Sequence, residues 1–234
     1  ALPGRSVKRL LIRPNGDILA GLSDSLLISH DNGATWPATK ATVQNTGGIV
    51  VDESDGTIYV GSWSGVSKST DGGSTWTDCM SGLPNVSVND LAMNSAGVLF
   101  SAHQNMGLYF SNDKGGTWTS ASAELEGVSV KSIQIADAAT MYIATAGMGV
   151  YKSTDAGSTW VQMVTGMDKQ DCSVVSVSTD NVQHVYAGTL SGRLYGSTDA
   201  GATWTQLLLS QYAQSIACIL PGPNDVLQAG VVWD

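Results

Sequence analysis

The side chains best suited to chemistry in this sequence fall into two groups. Asp168 and Asp171, in DKQD, and Glu124 and Glu126, in ELE, are carboxylates set in turn-rich segments. Paired carboxylates are able to serve as general acid and base, so these four are the weak catalytic candidates, although carboxylates on exposed loops are usually just solvated. The second group suits binding: Trp63, His103, Gln104, Asn105, Met148, Arg193, Tyr212 and Trp233, with Asn85 beside them. An indole exposed among amides and carboxylates stacks on a sugar ring or anchors a protein partner. His103 is expected to be a solvated loop residue rather than a base, and Arg193 stands where the preceding copy of its segment has Gly149.

What positions these residues is a repeat. SHDNGATW from Ser29 recurs as STDGGSTW from Ser69, SNDKGGTW from Ser111, STDAGSTW from Ser153 and STDAGATW from Ser197. The aspartates fall at Asp31, Asp71, Asp113, Asp155 and Asp199, so the intervals are 40, 42, 42 and 44 residues. A period in that range belongs to a propeller or a comparable array of supersecondary units. The fourth copy reads VSVKSIQI, MYIATAG, GVYKSTDAGSTW and VQMVTG, short runs rich in Val, Ile, Tyr and Thr between turn residues. That pattern is four strands per unit. The chain opens on the first two runs of a unit and ends on the same two, LLIRPNGDILAG against CILPGPNDVLQAG.

The expectation is an all-β fold, a β-propeller of four-stranded antiparallel blades, in one domain over 1–234. The repeats run approximately 5–45, 46–86, 87–128, 129–171 and 172–213, with a half repeat at 214–234. Six blade positions are favoured over five, and an unpaired edge at the half-built blade would attract another strand from elsewhere in the chain or from another chain.

Within S-x-D-x-G-x-T-W, the Asp is expected to sit at a hairpin tip and accept hydrogen bonds from backbone N–H groups one to three residues on. The Gly supplies the positive φ of the reversal. Trp36, Trp76, Trp118, Trp160 and Trp204 open the outer strands as wedges between blades, each costing about 3–5 kcal/mol on truncation. One carboxylate per tip is too few for calcium, which wants six to eight oxygens. No metal or cofactor is expected.

These five octapeptides resemble the Asp-box, or BNR, repeat, and nearly the whole chain is similar to Asp-box β-propellers. That superfamily includes sialidases, xyloglucan-cleaving endoglucanases, sortilin-type receptors and a photosystem assembly factor. The resemblance implies that the box is a structural turn away from the ligand face. A sialidase-like site would need an arginine triad and an Arg-Ile-Pro start, whereas this chain has Ile12-Arg13-Pro14, with only Arg193 outside the N-terminal cluster of Arg5, Arg9 and Arg13. A xyloglucanase-like site would need two carboxylates facing each other at about 6.5–9.5 Å or about 5 Å, for which Asp168, Asp171, Glu124 and Glu126 are the candidates, and two propellers forming a cleft.

Antiparallel hairpins alternate ends, so naming the strands A to D outward puts the box, a C–D loop, with the A–B loops. The B–C and D–A loops share the other end, and the B–C loops are the ones that vary: LSDS, SWSG, HQNMG, AGMG, TLSGR and VVWD. Binding is expected there. The expected activity is therefore non-catalytic recognition of a glycan or protein surface, with a glycoside hydrolase as the alternative.

Composition excludes other classes. A formal net charge of −9, from 20 acidic against 11 basic side chains, leaves no broad cationic face for nucleic acid. There is no run of 18 apolar residues and no charged-then-apolar signal segment, so membrane insertion is not expected. Cys79, Cys172 and Cys218 lack metal-site spacing and are expected as buried thiols. An extracellular, virion-surface or cell-surface setting is favoured.

Overall fold

The computed structural model describes residues 6–37, 43–209, 215–222 and 226–232. It is an all-β chain of the β-propeller class, and its residues group into two compact units. The first comprises residues 1–103 and 109–120, the second residues 104–108 and 121–234.

The first unit opens with a three-stranded sheet, β1 (Val7–Ile12), β2 (Ile18–Leu22) and β3 (Leu26–Ser29). The outer run of that repeat falls within 38–42, outside the described residues. A four-stranded sheet follows: β4 (Gly48–Asp52), β5 (Thr57–Ser62), β6 (Gly65–Ser69) and β7 (Thr77–Asp78). The third repeat forms β8 (Val88–Met93), β9 (Leu99–His103), β10 (Gly107–Ser111) and β11 (Thr119–Ser120).

In the second unit a single 3-10 turn (Ala123–Leu125) precedes β12 (Val130–Ile135), β13 (Met141–Thr145), β14 (Gly149–Ser153) and β15 (Val161–Met163). Next come β16 (Cys172–Val177), β17 (Val185–Thr189), β18 (Arg193–Ser197) and β19 (Thr205–Leu209), and then the half repeat, β20 (Ser215–Pro221) paired with β21 (Leu227–Val232). Among the described residues strands pair with their sequence neighbours, and six sheets account for the five repeats and the half repeat.

The second strand of each complete unit explains why sheets stack. All residues of β5, β9, β13 and β17 are buried, because both faces are covered. Such strands read as continuous apolar runs, IYV, LF, MYI and VY, instead of alternating. Near the end of that strand stands Gly21, Gly61 or Gly188, each meeting the next sheet's first strand or the loop before it. A Cβ on Gly21 would lie 2.5 Å from Thr46, one on Gly61 2.4 Å from Val88, and one on Gly188 2.5 Å from Ile216. Interdigitated packing at that distance leaves room for hydrogen alone.

The first strands carry a device that strict alternation hides. Register shifts leave one extra residue in β1, β8, β12, β16 and β20, namely Lys8, Asn89, Lys131, Ser173 and Ala217. Each is a β-bulge, which leaves the ladder locally unpaired and re-aims a side chain. The residues on either side, Val88 and Leu91 or Val130 and Ile133, are buried, giving an apolar spacing of three where a flat strand would show two. In β1 the corresponding Val7 and Leu10 are 41% and 58% exposed, an apolar stripe uncovered among the described residues.

The octapeptide turns are superimposable in their bonding. In the first, Ser29 Oγ donates to Asp31 Oδ1 at 2.7 Å and accepts from the Gly33 N–H at 2.8 Å. Thr35 donates its N–H to Oδ1 at 2.8 Å and its hydroxyl to Oδ2 at 2.6 Å. The same set recurs around Asp71, Asp113, Asp155 and Asp199. The carboxylate thus reaches four residues on, further than expected, because two successive residues turn left-handed. Before the glycine, Asn32, Gly72, Lys114, Ala156 and Ala200 all have positive φ. These bonds hold each Asp carboxyl at about 2, with the Thr hydroxyl the leading cause in four and the Thr117 N–H in the third.

Two other expectations need correction. The tryptophans precede the outer strands rather than open them, since β7, β11, β15 and β19 begin one residue later. Their indoles bond in two ways. Trp118 and Trp204 donate to Cys79 and Met163 carbonyls in the preceding repeat, whereas Trp36, Trp76 and Trp160 donate to the glycine carbonyl of their own turn. All three thiols are free, but Cys218 is exposed while Cys79 and Cys172 are buried; among the described residues β20 has only one strand, β21, in its sheet.

Candidate functional site

The loops sort by end as the hairpin argument requires. Box turns meet A–B loops: Ala156 donates its N–H to Ala139 O at 2.8 Å, Ala200 to Gln183 O at 2.8 Å, and Lys114 Nζ lies 2.6 Å from Asp55 and 3.0 Å from Asp52. B–C loops meet D–A loops: the Trp63 N–H donates to Gln44 O at 3.1 Å, Gly149 to Gln170 O at 2.7 Å, and Leu190 to Asp171 O at 2.8 Å.

In the first unit this end carries a pocket of about 250 Å³, lined by Lys8, Arg9, Trp63, Ser87 and Asn89, together with Val88 and the Asn45–Gly47 backbone turn. Trp63 is 62% exposed on the β5–β6 loop. Asn45 is left-handed, with φ 54°, and turns the chain back so that Thr46 and Gly47 reach the wall. Gly47 is obligatory there, because a Cβ would lie 1.9 Å from the Val88 carbonyl. Arg9 is held by its neighbours, Nε donating to Gly47 O and a terminal nitrogen to Asn89 O at 3.1 Å, with Asp90 at 3.9 Å. The lining contains no carboxylate. Asn85 is exposed in the same D–A loop but is not part of the wall.

His103 is not a solvated loop residue. It is fully buried at the end of β9, its Nε2 2.9 Å from Ser101 Oγ and its ring edge-on to Tyr109 at 5.4 Å. Nδ1 makes no hydrogen bond among the described residues, although the backbone of Ser87 favours the protonated form. Burial dominates and pushes the imidazole down to about 4. Three other repeats place a hydroxyl at this strand end, as Ser62, Thr145 and Thr189, which bond their own hairpins, while the first has Leu22. The apolar surroundings of LFSAH are the signal that the histidine is interior.

In the second unit the candidates fall into separate pieces. Asp168 accepts from the Tyr195 hydroxyl and from Arg193, which also donates to Gln206 at 2.8 Å. Tyr195, then Arg193, hold the Asp168 carboxyl below the usual range. Asp171 accepts from Ser191 Oγ at 3.2 Å. Glu124 is exposed and lowered by the Ser122 hydroxyl, and Glu126 is exposed in the same turn. A glycosidase acid needs a raised pKa, so neither Asp168 nor Glu124 is tuned as a proton donor. Gln104 and Asn105 are exposed, Asn105 being tied to Ser129, and Met148 is 41% exposed beside the Tyr151 hydroxyl. Tyr212 and Trp233 lie outside the described residues.

Lys8 and Arg9 are not among the residues expected at this face, Arg9 being named only as one of the N-terminal arginines Arg5, Arg9 and Arg13. The signal was available in the aligned first strands VKRL, VNDL and VKSI, where apolar residues stand three apart.

No family model matches this chain, and no curated protein matches it. Solved structures do. A GH74 enzyme from Niastella koreensis aligns with TM-score 0.73 and 22% identity over 86% of this chain and 38% of that one. The extracellular domain of a putative one-component system from B. thetaiotaomicron aligns with TM-score 0.75 and 14% identity over 96% of this chain and 32% of that one. YCF48 bound to a D1 peptide aligns with TM-score 0.69 and 13% identity over 92% and 72%. The chain thus spans under two-fifths of the length of the GH74 structure. At these identities the likeness establishes the β-propeller fold.

Proposed function

We propose that this chain is an Asp-box propeller, one domain over its length, that recognises a glycan without cleaving it. It does so through the B–C and D–A loops at a cell, virion or extracellular surface. The observation that carries the reading is the pocket at Trp63: an indole 62% exposed beside a cavity of about 250 Å³ whose walls are cationic and amide. Sugar binding uses that combination of an aromatic face and a few fixed polar groups. A concave polar cavity with one aromatic suits a sugar better than a protein interface, whose core is apolar and flat over a larger area. The open edge of β21, unpaired among the described residues, is where a further strand would join.

The likeness to GH74 enzymes keeps hydrolysis as the competing reading, with Asp168, Asp171, Glu124 and Glu126 as its carboxylates. The lowered Asp168 and Glu124 suit a base or nucleophile but supply neither as the proton donor that hydrolysis also needs. A glycan array run alongside chromogenic glycosides tests both. Saturable binding lost in Trp63→Ala, with no turnover, is the expected result. Turnover abolished by Asp168→Ala or Asp171→Ala overturns the binding reading.

A further inference from the structure

We infer that the Trp63 pocket selects an anionic sugar, a uronic-acid residue, whose carboxylate is taken by Lys8. The inference rests on the glycan reading above and names its substrate class. Lys8 and Arg9 are neighbours in sequence but have different duties. Arg9 is spent on the scaffold, bridging the carbonyls of Gly47 and Asn89. Lys8 is the bulged residue of β1, set between Val7 paired with Leu22 and Arg9 paired with Gly21. Without ladder duties, its side chain goes to the pocket wall. Among the described residues it forms no ion pair.

The balance of charge points the same way. The chain carries 20 acidic side chains and 11 basic ones, yet two cations and no carboxylate line this cavity. A neutral ligand gains only the weaker bonds that its hydroxyls accept from these donors, whereas a carboxylate opposite the ammonium gains an ion-paired hydrogen bond. Asn89, the bulged residue of β8, adds an amide to the same wall. A cavity of about 250 Å³ lies below the range for drug-sized ligands, about 300–1,000 Å³, and fits one ring with its substituent on the indole. An acidic peptide offers the same carboxylate but no ring face for Trp63.

Calorimetry with three probes, trigalacturonate, neutral α-1,4-galactotriose and hexaglutamate, tests this on the whole chain. Trigalacturonate is expected to bind at least about tenfold tighter than galactotriose, the equivalent of one charge-assisted contact. Lys8→Met should collapse that ratio towards one, Lys8→Arg should preserve it, and Trp63→Ala should weaken trigalacturonate. Equal binding of the two trisaccharides overturns the anionic selectivity and leaves glycan recognition standing. Binding of hexaglutamate alone overturns the inference in favour of an acidic protein partner. Silence with all three overturns the inference, and overturns glycan recognition as well when the array is also blank.

Discussion

The Tyr142 hydroxyl donates to the carbonyl of Ala200 at 3.0 Å, joining the second strand of one repeat to the octapeptide turn of the next. Lys152 Nζ reaches the same carbonyl at 3.2 Å. The first unit repeats the arrangement, with Tyr59 and Lys68 on the carbonyl of Lys114 at 3.3 and 2.9 Å. Ala200 and Lys114 are both left-handed, with φ 56°. The unusual backbone therefore has a task beyond closing the turn, since it aims a carbonyl at the neighbouring sheet. Burial pushes the Tyr142 phenol up to about 12, keeping it protonated and able to donate. Tyr142→Phe preserves the packing and removes one bond, so we expect a loss of about 1 kcal/mol in urea unfolding.

Ala156 occupies the same left-handed position, with φ 57°, but is exposed. A non-glycine residue pays roughly 1–2 kcal/mol there, and glycine pays more unfolded-state entropy. Ala156→Gly should therefore stabilise the chain by about 0.5–1 kcal/mol, read as a raised melting temperature. Gly157→Ala, at φ 91°, should lower it.

Acid should unfold the protein in two separable stages. His103 is held at about 4 against an ordinary 6.5, so its neutral form favours folding. That contribution is complete above pH 6.5 and is lost as pH falls towards 4, a span of roughly 3 kcal/mol. The five box carboxyls, held at about 2, contribute fully above their ordinary 3.8 and lose that contribution as pH falls towards 2. His103→Thr, which places there the hydroxyl found at Thr145 and Thr189, should flatten the stability profile between pH 6.5 and 4 and leave the lower limb in place. A slope unchanged in that variant would show that the imidazole is not what titrates.

Gly61 and Gly188 let a second strand and the next first strand touch. Gly61→Ala forces a Cβ to within 2.4 Å of Val88, and we expect a cost of about 1–3 kcal/mol by chemical denaturation. Combined with Val88→Ala, which vacates the contact, the loss should be smaller than the sum of the two single losses.

The fold was legible because it is written five times. Each octapeptide holds every group its turn needs, so local chemistry and global architecture agree at Asp31, Asp71, Asp113, Asp155 and Asp199. The division of loops between two ends followed from strand alternation alone, and it led to Trp63. Burial was harder to read, because it depends on neighbours that a single repeat does not contain. His103 follows a strand end in sequence and looks like loop, yet in three dimensions it packs beside Ser101 and Tyr109. Lys8 was hidden for another reason: strict alternation does not show which residue a bulge takes out of the ladder while its neighbour Arg9 stays paired. Arg193 looked available and is instead held by Asp168 and Gln206.

The bulges at Lys8, Asn89, Lys131, Ser173 and Ala217 separate two duties that most strand residues combine. A residue in the ladder must suit both its partner strand and whatever it faces, so changing its chemistry disturbs folding. A residue outside the ladder is released from its partner strand, although Ser173 takes up a scaffold duty of its own by donating to the carbonyls of Gly188 and Ile216, and the five differ in charge, size and polarity on a common backbone. On the glycan reading proposed above, selectivity can accordingly be altered at Lys8 and Asn89 while the glycines, turns and tryptophans that build the scaffold stay as they are.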